Sequence, residues 1–213
     1  MALDALERRF GRPRRDRKFG PLEELVLTVL SQNTNDTNRD RAYASLTARF
    51  PAWHLAARAP VRAIESAIRT GGLARTKSRV IRALLRRIEA ERHGFDLGFL
   101  RDLPLDEARA WLRSFRGVGD KTAACVLLFS CRRPAFPVDT HILRVTRRLG
   151  WIAGKATAAE AHLRLATLIP ERRYFAAHVN LITLGRRLCK PRKPMCAECP
   201  LSRICPTARR EVS

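Results

Sequence analysis

The residues best suited to chemistry sit within one short stretch. Lys121 lies two positions past the turn Gly117-Val118-Gly119, and Asp139 follows eighteen positions later, after Phe136-Pro137-Val138. A neutral lysine amine can act as a nucleophile, and the carboxylate would be its acidic partner. The spacing puts Lys121 where a helix would begin, at the positive end of its dipole, which disfavours an ammonium. Gly117 and Gly119 permit backbone dihedrals that a side chain would forbid. Their amides, with those of the next helix N-terminus, can hold one phosphate without reading sequence. The same residues have plainer uses. Tight turns between helices take glycine for structural reasons, and Asp139 suits an N-cap before Thr140.

Four of the six cysteines form a second constellation. Cys189, Cys196, Cys199 and Cys205 are spaced C-x6-C-x2-C-x5-C, among Pro191, Pro194, Pro200 and Pro206. Four thiolates in so compact a loop suggest a metal before a disulfide framework. Structural zinc usually takes two short-spaced pairs; here there is one, so a [4Fe–4S] cluster is the better chemical match. Zinc and then disulfides remain as alternatives. Lys190, Arg192, Lys193 and Arg203 surround these positions and could offset a cluster's negative charge. Cys125 and Cys131 read as small buried core residues.

Helices must position both groups. Pro21 opens one, with Glu23 and Glu24 in its first turn and Leu22, Leu25, Val26, Val29 and Leu30 along it. The polar run Ser31 to Asp36 ends it, and Thr34 or Asn35 can cap the next. Short helices are expected at about 52–57 and 60–69, and a long one at about 75–92. Pro104 starts another, with Ala108, Trp111, Leu112 and Phe115 as its apolar stripe. Further helices are expected at about 121–130, 140–149, 156–168 and 173–188, and the tail reads as a loop with at most short helical turns. Period-two alternation is absent, so the chain reads as all-α. Residues 1–19 could dock a short helix through Leu3, Leu6 and Phe10 or remain a basic arm.

The 213 residues carry 42 Lys and Arg against 20 Asp and Glu, a net charge of +22. Such a balance points to a polyanion, with nucleic acid first and an anionic membrane surface second. No stretch reaches the roughly twenty apolar residues of a membrane span, and no signal-peptide pattern is present. A soluble, intracellular protein is expected.

Taken together, these motifs resemble one known family. Leu112 to Ala123 resembles the helix-hairpin-helix of the endonuclease III branch of DNA glycosylases. Phe136 to Arg144 resembles that superfamily's aspartate-bearing segment, and the cysteine spacing is similar to its iron–sulfur loop. The resemblance covers residues 20–206. It implies an all-α, two-domain helix-hairpin-helix glycosylase fold with a [4Fe–4S] cluster loop. A six-helix domain would span 20–131, and residues 1–19 with 132–213 would form a discontinuous second domain carrying the cluster on Cys189, Cys196, Cys199 and Cys205.

The resemblance also implies a base-excision activity on double-stranded DNA with damaged bases or abasic sites. Lys121 would attack C1′ of a flipped nucleotide, and Asp139 would assist. β-Elimination from the Schiff base would then cut 3′ to the lesion, the expected lesions being oxidised or otherwise damaged pyrimidines. A mismatched or methylated pyrimidine is an alternative substrate, and a DNA-binding module without excision is the alternative from another class. Gly117, Val118 and Gly119 would hold the backbone. Gln32 aligns with the residue that plugs the emptied stack, Asn33 being the alternative, and Leu73 would wedge toward the orphaned base. The adenine-excising branch carries a glutamate where this chain has Thr28, which argues against adenine. Asp120 departs from the family's usual basic or neutral residue. A monomer is expected, cytoplasmic and associated with the nucleoid.

Overall fold

Every regular element is helical among the residues described by the computed structural model, which are 1–15 and 19–211, with side chains to 209. Residues 16–18, within the basic N-terminal stretch 1–19, lie outside the described residues. The chain falls into two units, Lys18–Arg133 and Met1–Arg17 with Pro134–Ser213.

The N-terminal part of the second unit contains α1 (Ala2–Phe10). The unit Lys18–Arg133 then contains α2 (Pro21–Leu30), α3 (Asp36–Arg49), α4 (Trp53–Arg58), α5 (Val61–Ala67), α6 (Ala74–Arg92), α7 (Leu105–Arg113) and α8 (Asp120–Phe129). Pro21 occupies the first turn of α2, and Glu23 and Glu24 complement its dipole. From Leu25 to Leu30 every side chain of α2 is buried. A helix apolar all round belongs at the centre of a core, and α2 packs there against α8, itself buried from Thr122 to Leu128. Each such Leu or Val contributes about 1.5–3 kcal/mol relative to an exposed side chain. The long α6 lays Ile81, Leu84, Leu85 and Ile88 against α4 and α5.

The polar run after α2 resolves as a loop in which Asn35 caps α3, its Oδ1 accepting from the Asn38 amide at 2.8 Å. The expected helix over 60–69 is shorter, since the chain tightens into a 3-10 turn at Arg69–Gly71 before Gly72.

The other unit continues with α9 (Thr140–Arg148), α10 (Ala158–Leu168), α11 (Tyr174–Arg187) and α12 (Pro206–Glu211). The last is a helix where the sequence suggested a loop; Pro206 at its start supplies the preset φ that begins one. Helices α9 and α11 cross closely at Gly185, where a Cβ would meet the His141 Cβ at 2.9 Å. The N-terminal helix docks on α11. Leu6 is fully buried, and Arg173 bonds Asp4 at 2.7 Å and Glu7 at 3.0 Å. The docked form of residues 1–10 is therefore the one realised. No helix is long and apolar enough to cross a membrane among the described residues.

Candidate active site and cysteine centre

The turn between α7 and α8 is held from α6. Arg87 donates through Nη1 to Ser114 O at 2.8 Å and through Nη2 to Ser114 Oγ at 2.9 Å, with its guanidinium over the Phe115 ring at 4.5 Å. Gly117 adopts φ +84°, a left-handed conformation that favours glycine, and a Cβ there would meet Val80 Cγ1 at 3.0 Å. Gly119 differs from expectation. Its φ of −98° and ψ of −176° suit any residue, and a Cβ would meet nothing within 4 Å. Its glycine leaves open space rather than relieving strain. Val118 holds the turn from inside. Its side chain is buried and its amide donates to Phe115 O at 3.1 Å, so it pins the turn.

Lys121 stands in the first turn of α8 and is half-buried. Its neighbour Asp120, the family departure, finds a partner across the turn. Arg113 Nε lies 3.0 Å from its Oδ1. The carboxylate also sits at a helix N-terminus, where negative charge is favoured. Both side chains are partly exposed, so the pair adds about 0–1 kcal/mol. It joins the last turn of α7 to the first turn of α8.

The loop after α2 meets this turn. Gln32 Nε2 donates to Gly117 O at 3.2 Å. Asn33 follows with φ 50°, in the left-handed region that asparagine tolerates, and is exposed. Its carbonyl would lie 3.8 Å from a Cβ on Gly72. Next along, Leu73 caps α6 at φ 49° with 56% of its surface exposed. The unit thus brings Gln32, Asn33, Leu73 and the hairpin turn into one neighbourhood. Thr28 is buried and donates through Oγ1 to Glu24 Oε1 at 3.3 Å.

Asp139 belongs to the other unit. Its Oδ1 accepts from the Ile142 amide at 2.8 Å, capping α9. The approach to it is fixed by two histidines. His162 Nδ1 donates to Phe136 O and buried His178 Nδ1 to Pro137 O, each at 2.9 Å. The carbonyls can only accept, so both rings carry a proton on Nδ1. His141 takes the opposite tautomer when neutral, since Arg144 Nη2 donates to its Nδ1 at 3.1 Å. Burial pushes its pKa down, against the pull of Asp139. His162 and His178 carry no sequence signal, because their roles arise from helices packed far along the chain.

Cys189, Cys196, Cys199 and Cys205 line one cavity, walled by Val145, Leu184 and Leu188. None of the six cysteines is in a disulfide. No group of three or more His, Cys, Asp or Glu stands ready to hold a metal ion among the described residues. Burial raises the pKa of Cys199, and the charges of Cys189 and Cys205 add to it. Arg148 on α9 laces the loop, donating through Nη1 to Cys189 Sγ at 3.3 Å and Lys190 O at 2.7 Å, and through Nη2 to Pro191 O at 2.9 Å. Arg144 adds Nε to Cys189 O at 3.0 Å. A cationic partner of Cys189 therefore comes from α9, whereas Lys190, Arg192 and Lys193 within the loop are exposed. A donor set of four thiols, without a carboxylate, on apolar walls with an arginine at one sulfur fits an iron–sulfur cluster.

Comparison with known proteins agrees with this geometry. The family described as "HhH-GPD superfamily base excision DNA repair protein" matches residues 26–171. The chain is 35% identical over 198 residues to endonuclease III of Thermotoga maritima, covering 93% of this chain and 88% of that one. It is 38% identical over 189 residues to a candidate DNA glycosylase of Arabidopsis thaliana, covering 84% of this chain but spanning only 64% of the plant protein's length. A solved non-covalent complex of an endonuclease III with DNA superposes with a TM-score of 0.86 at 29% identity, covering 99% of this chain and 95% of that chain. The chain belongs to the endonuclease III family of helix-hairpin-helix DNA glycosylases/AP lyases, within the HhH-GPD superfamily of base excision repair proteins.

Proposed function

We propose that this protein is a bifunctional DNA glycosylase/AP lyase acting on oxidised or otherwise damaged pyrimidines in duplex DNA. The observation that carries the reading is the placement of Lys121 in the first turn of α8, directly past the Gly117 turn. A lysine there follows the backbone anchor that would fix the strand, so that its amine is offered to one sugar.

The chemistry follows from the residue types. The neutral Lys121 amine attacks C1′ as the bond from C1′ to the base breaks, and the base leaves with a proton. Asp139 steadies the positive charge on the sugar and assists proton transfer from the new secondary amine. Ring opening gives an iminium, loss of the C2′ proton expels the 3′ phosphate, and water then releases the lysine. Asn33 fills the emptied stack, because the Gln32 amide is engaged on Gly117 O. Leu73 enters beside the orphaned base. The net charge of +22 supplies the sequence-independent attraction to phosphates. The four cysteines would hold a [4Fe–4S] cluster, whose ligation cross-links the tail to the end of α11. A monomer suffices, since one chain carries all of these parts.

The test is a panel of duplexes, each with one lesion or one abasic site, incubated with wild-type protein and the Asp139→Asn variant. Excision of at least one oxidised pyrimidine by the wild type is expected, with the variant binding the same duplex but cutting it poorly. Wild-type turnover by Asp139→Asn would remove that carboxylate from the mechanism.

A further inference from the structure

Lys77 is a buried lysine outside the proposed chemistry. Only 2% of its surface is exposed, and its Nζ donates to Leu30 O at 2.7 Å and to Gly71 O at 2.7 Å. Leu30 is the last residue of α2, where carbonyls lack partners within their own helix. Gly71 closes the 3-10 turn that precedes α6. A cation at a helix C-terminus meets the negative end of the dipole, which offsets part of its desolvation. Burial nonetheless pushes its pKa down. An apolar side chain would fill this volume with no charge to desolvate. The ammonium therefore has a geometric consequence rather than a packing one, and its two acceptors show what that is.

Each acceptor sits at the root of a loop. Leu30 leads directly into Ser31, Gln32 and Asn33, and Gly71 leads into Gly72 and Leu73. The loops also approach each other at their tips, where a Cβ on Gly72 would stand 3.8 Å from Asn33 O. A single side chain thus fixes the distance between the two roots. We infer that Lys77 is a positioning residue that couples the two loops, so that Asn33 and Leu73 enter the duplex as one rigid pair. This inference rests on the reading of those loops given above.

Single-stranded DNA separates the two claims, because a strand without a partner has no stack to plug and no orphaned base to wedge. Wild-type protein and Lys77→Met are compared on one abasic strand, free and annealed, by borohydride trapping of the Schiff base. Lys77→Met is expected to lose about tenfold or more on the duplex and stay within about twofold on the single strand. A second measurement leaves Lys77 in place, so it survives a folding failure of that variant. Asn33→Gly, Leu73→Ala and the double variant are compared on the duplex, and coupled loops require a double loss well short of the product of the single losses. Equal losses of Lys77→Met on both substrates, an unchanged duplex rate, or multiplicative loop losses would each overturn the inference. Wild-type protein inactive on both substrates would overturn the proposed function and the coupling with it.

Discussion

Gln32 donates its side-chain amide to the carbonyl of Gly117 across 85 positions of sequence, at 3.2 Å. The bond joins the loop after α2 to the helix-hairpin-helix turn, and it commits the longer of two neighbouring amide side chains to the protein itself. Asn33, in a left-handed conformation beside it, is the one left at the tip.

That division of labour can be checked with a substitution that keeps the backbone. Asn33→Gly preserves the left-handed conformation, so stability should change by less than about 1 kcal/mol. Excision from duplex DNA should nonetheless fall about tenfold or more, because the gap left by the flipped base goes unfilled. Gln32→Ala should weaken duplex excision less. A larger loss from Gln32→Ala than from Asn33→Gly in steady-state assays would reverse the two roles.

The two glycines of the turn should also part company. Gly117→Ala forces a Cβ into the left-handed region and against Val80, at an expected cost of about 1–3 kcal/mol in thermal or denaturant unfolding. Gly119→Ala meets open space, so its stability should stay within about 1 kcal/mol of wild type. If that space admits a phosphate, Gly119→Ala should still lose DNA affinity about tenfold, read by fluorescence anisotropy at fixed salt. Unchanged affinity would place the phosphate elsewhere.

Much of this was legible in the sequence, for identifiable reasons. Apolar residues at helical spacing mark α2, α6 and α8 because their burial is set by neighbours on the same helix. Cys189 to Cys205 share a cavity because their loop is short. Asp120 was opaque, since its partner Arg113 becomes a neighbour only when the turn closes. Lys77 on α6 gave no signal among many basic residues, because its burial depends on the end of α2. Arg148 reaches Cys189 from 41 positions away. Gly119 was misjudged because sequence cannot tell a glycine needed for its dihedrals from one in a conformation any residue adopts.

The cysteines should divide by chemistry. Protein purified without air is expected to show a broad visible band at about 400 nm and about four irons per chain, both lost in Cys199→Ser. Stoichiometric zinc without colour would overturn the cluster assignment.

Cys131 should behave oppositely. Burial pushes its thiol pKa up to about 11, while Arg101 and Arg133 pull it down less strongly. A thiol that is harder to ionise when folded stabilises the fold below its unfolded pKa, and this contribution is lost as pH rises from about 9 to about 11. Iodoacetamide at pH 8 should therefore leave Cys131 unmodified in the native protein, as read by mass spectrometry, and modify it after unfolding. Rapid native labelling would contradict its burial.

The most direct test of the central claim is capture of the covalent intermediate. Wild-type protein is mixed with an abasic duplex in borohydride, and the products are separated under denaturing conditions. A protein–DNA adduct is expected for wild type, with the cross-link mapping to Lys121, and none for Lys121→Ala. Absence of an adduct with wild type, or an undiminished adduct with Lys121→Ala, would contradict the account.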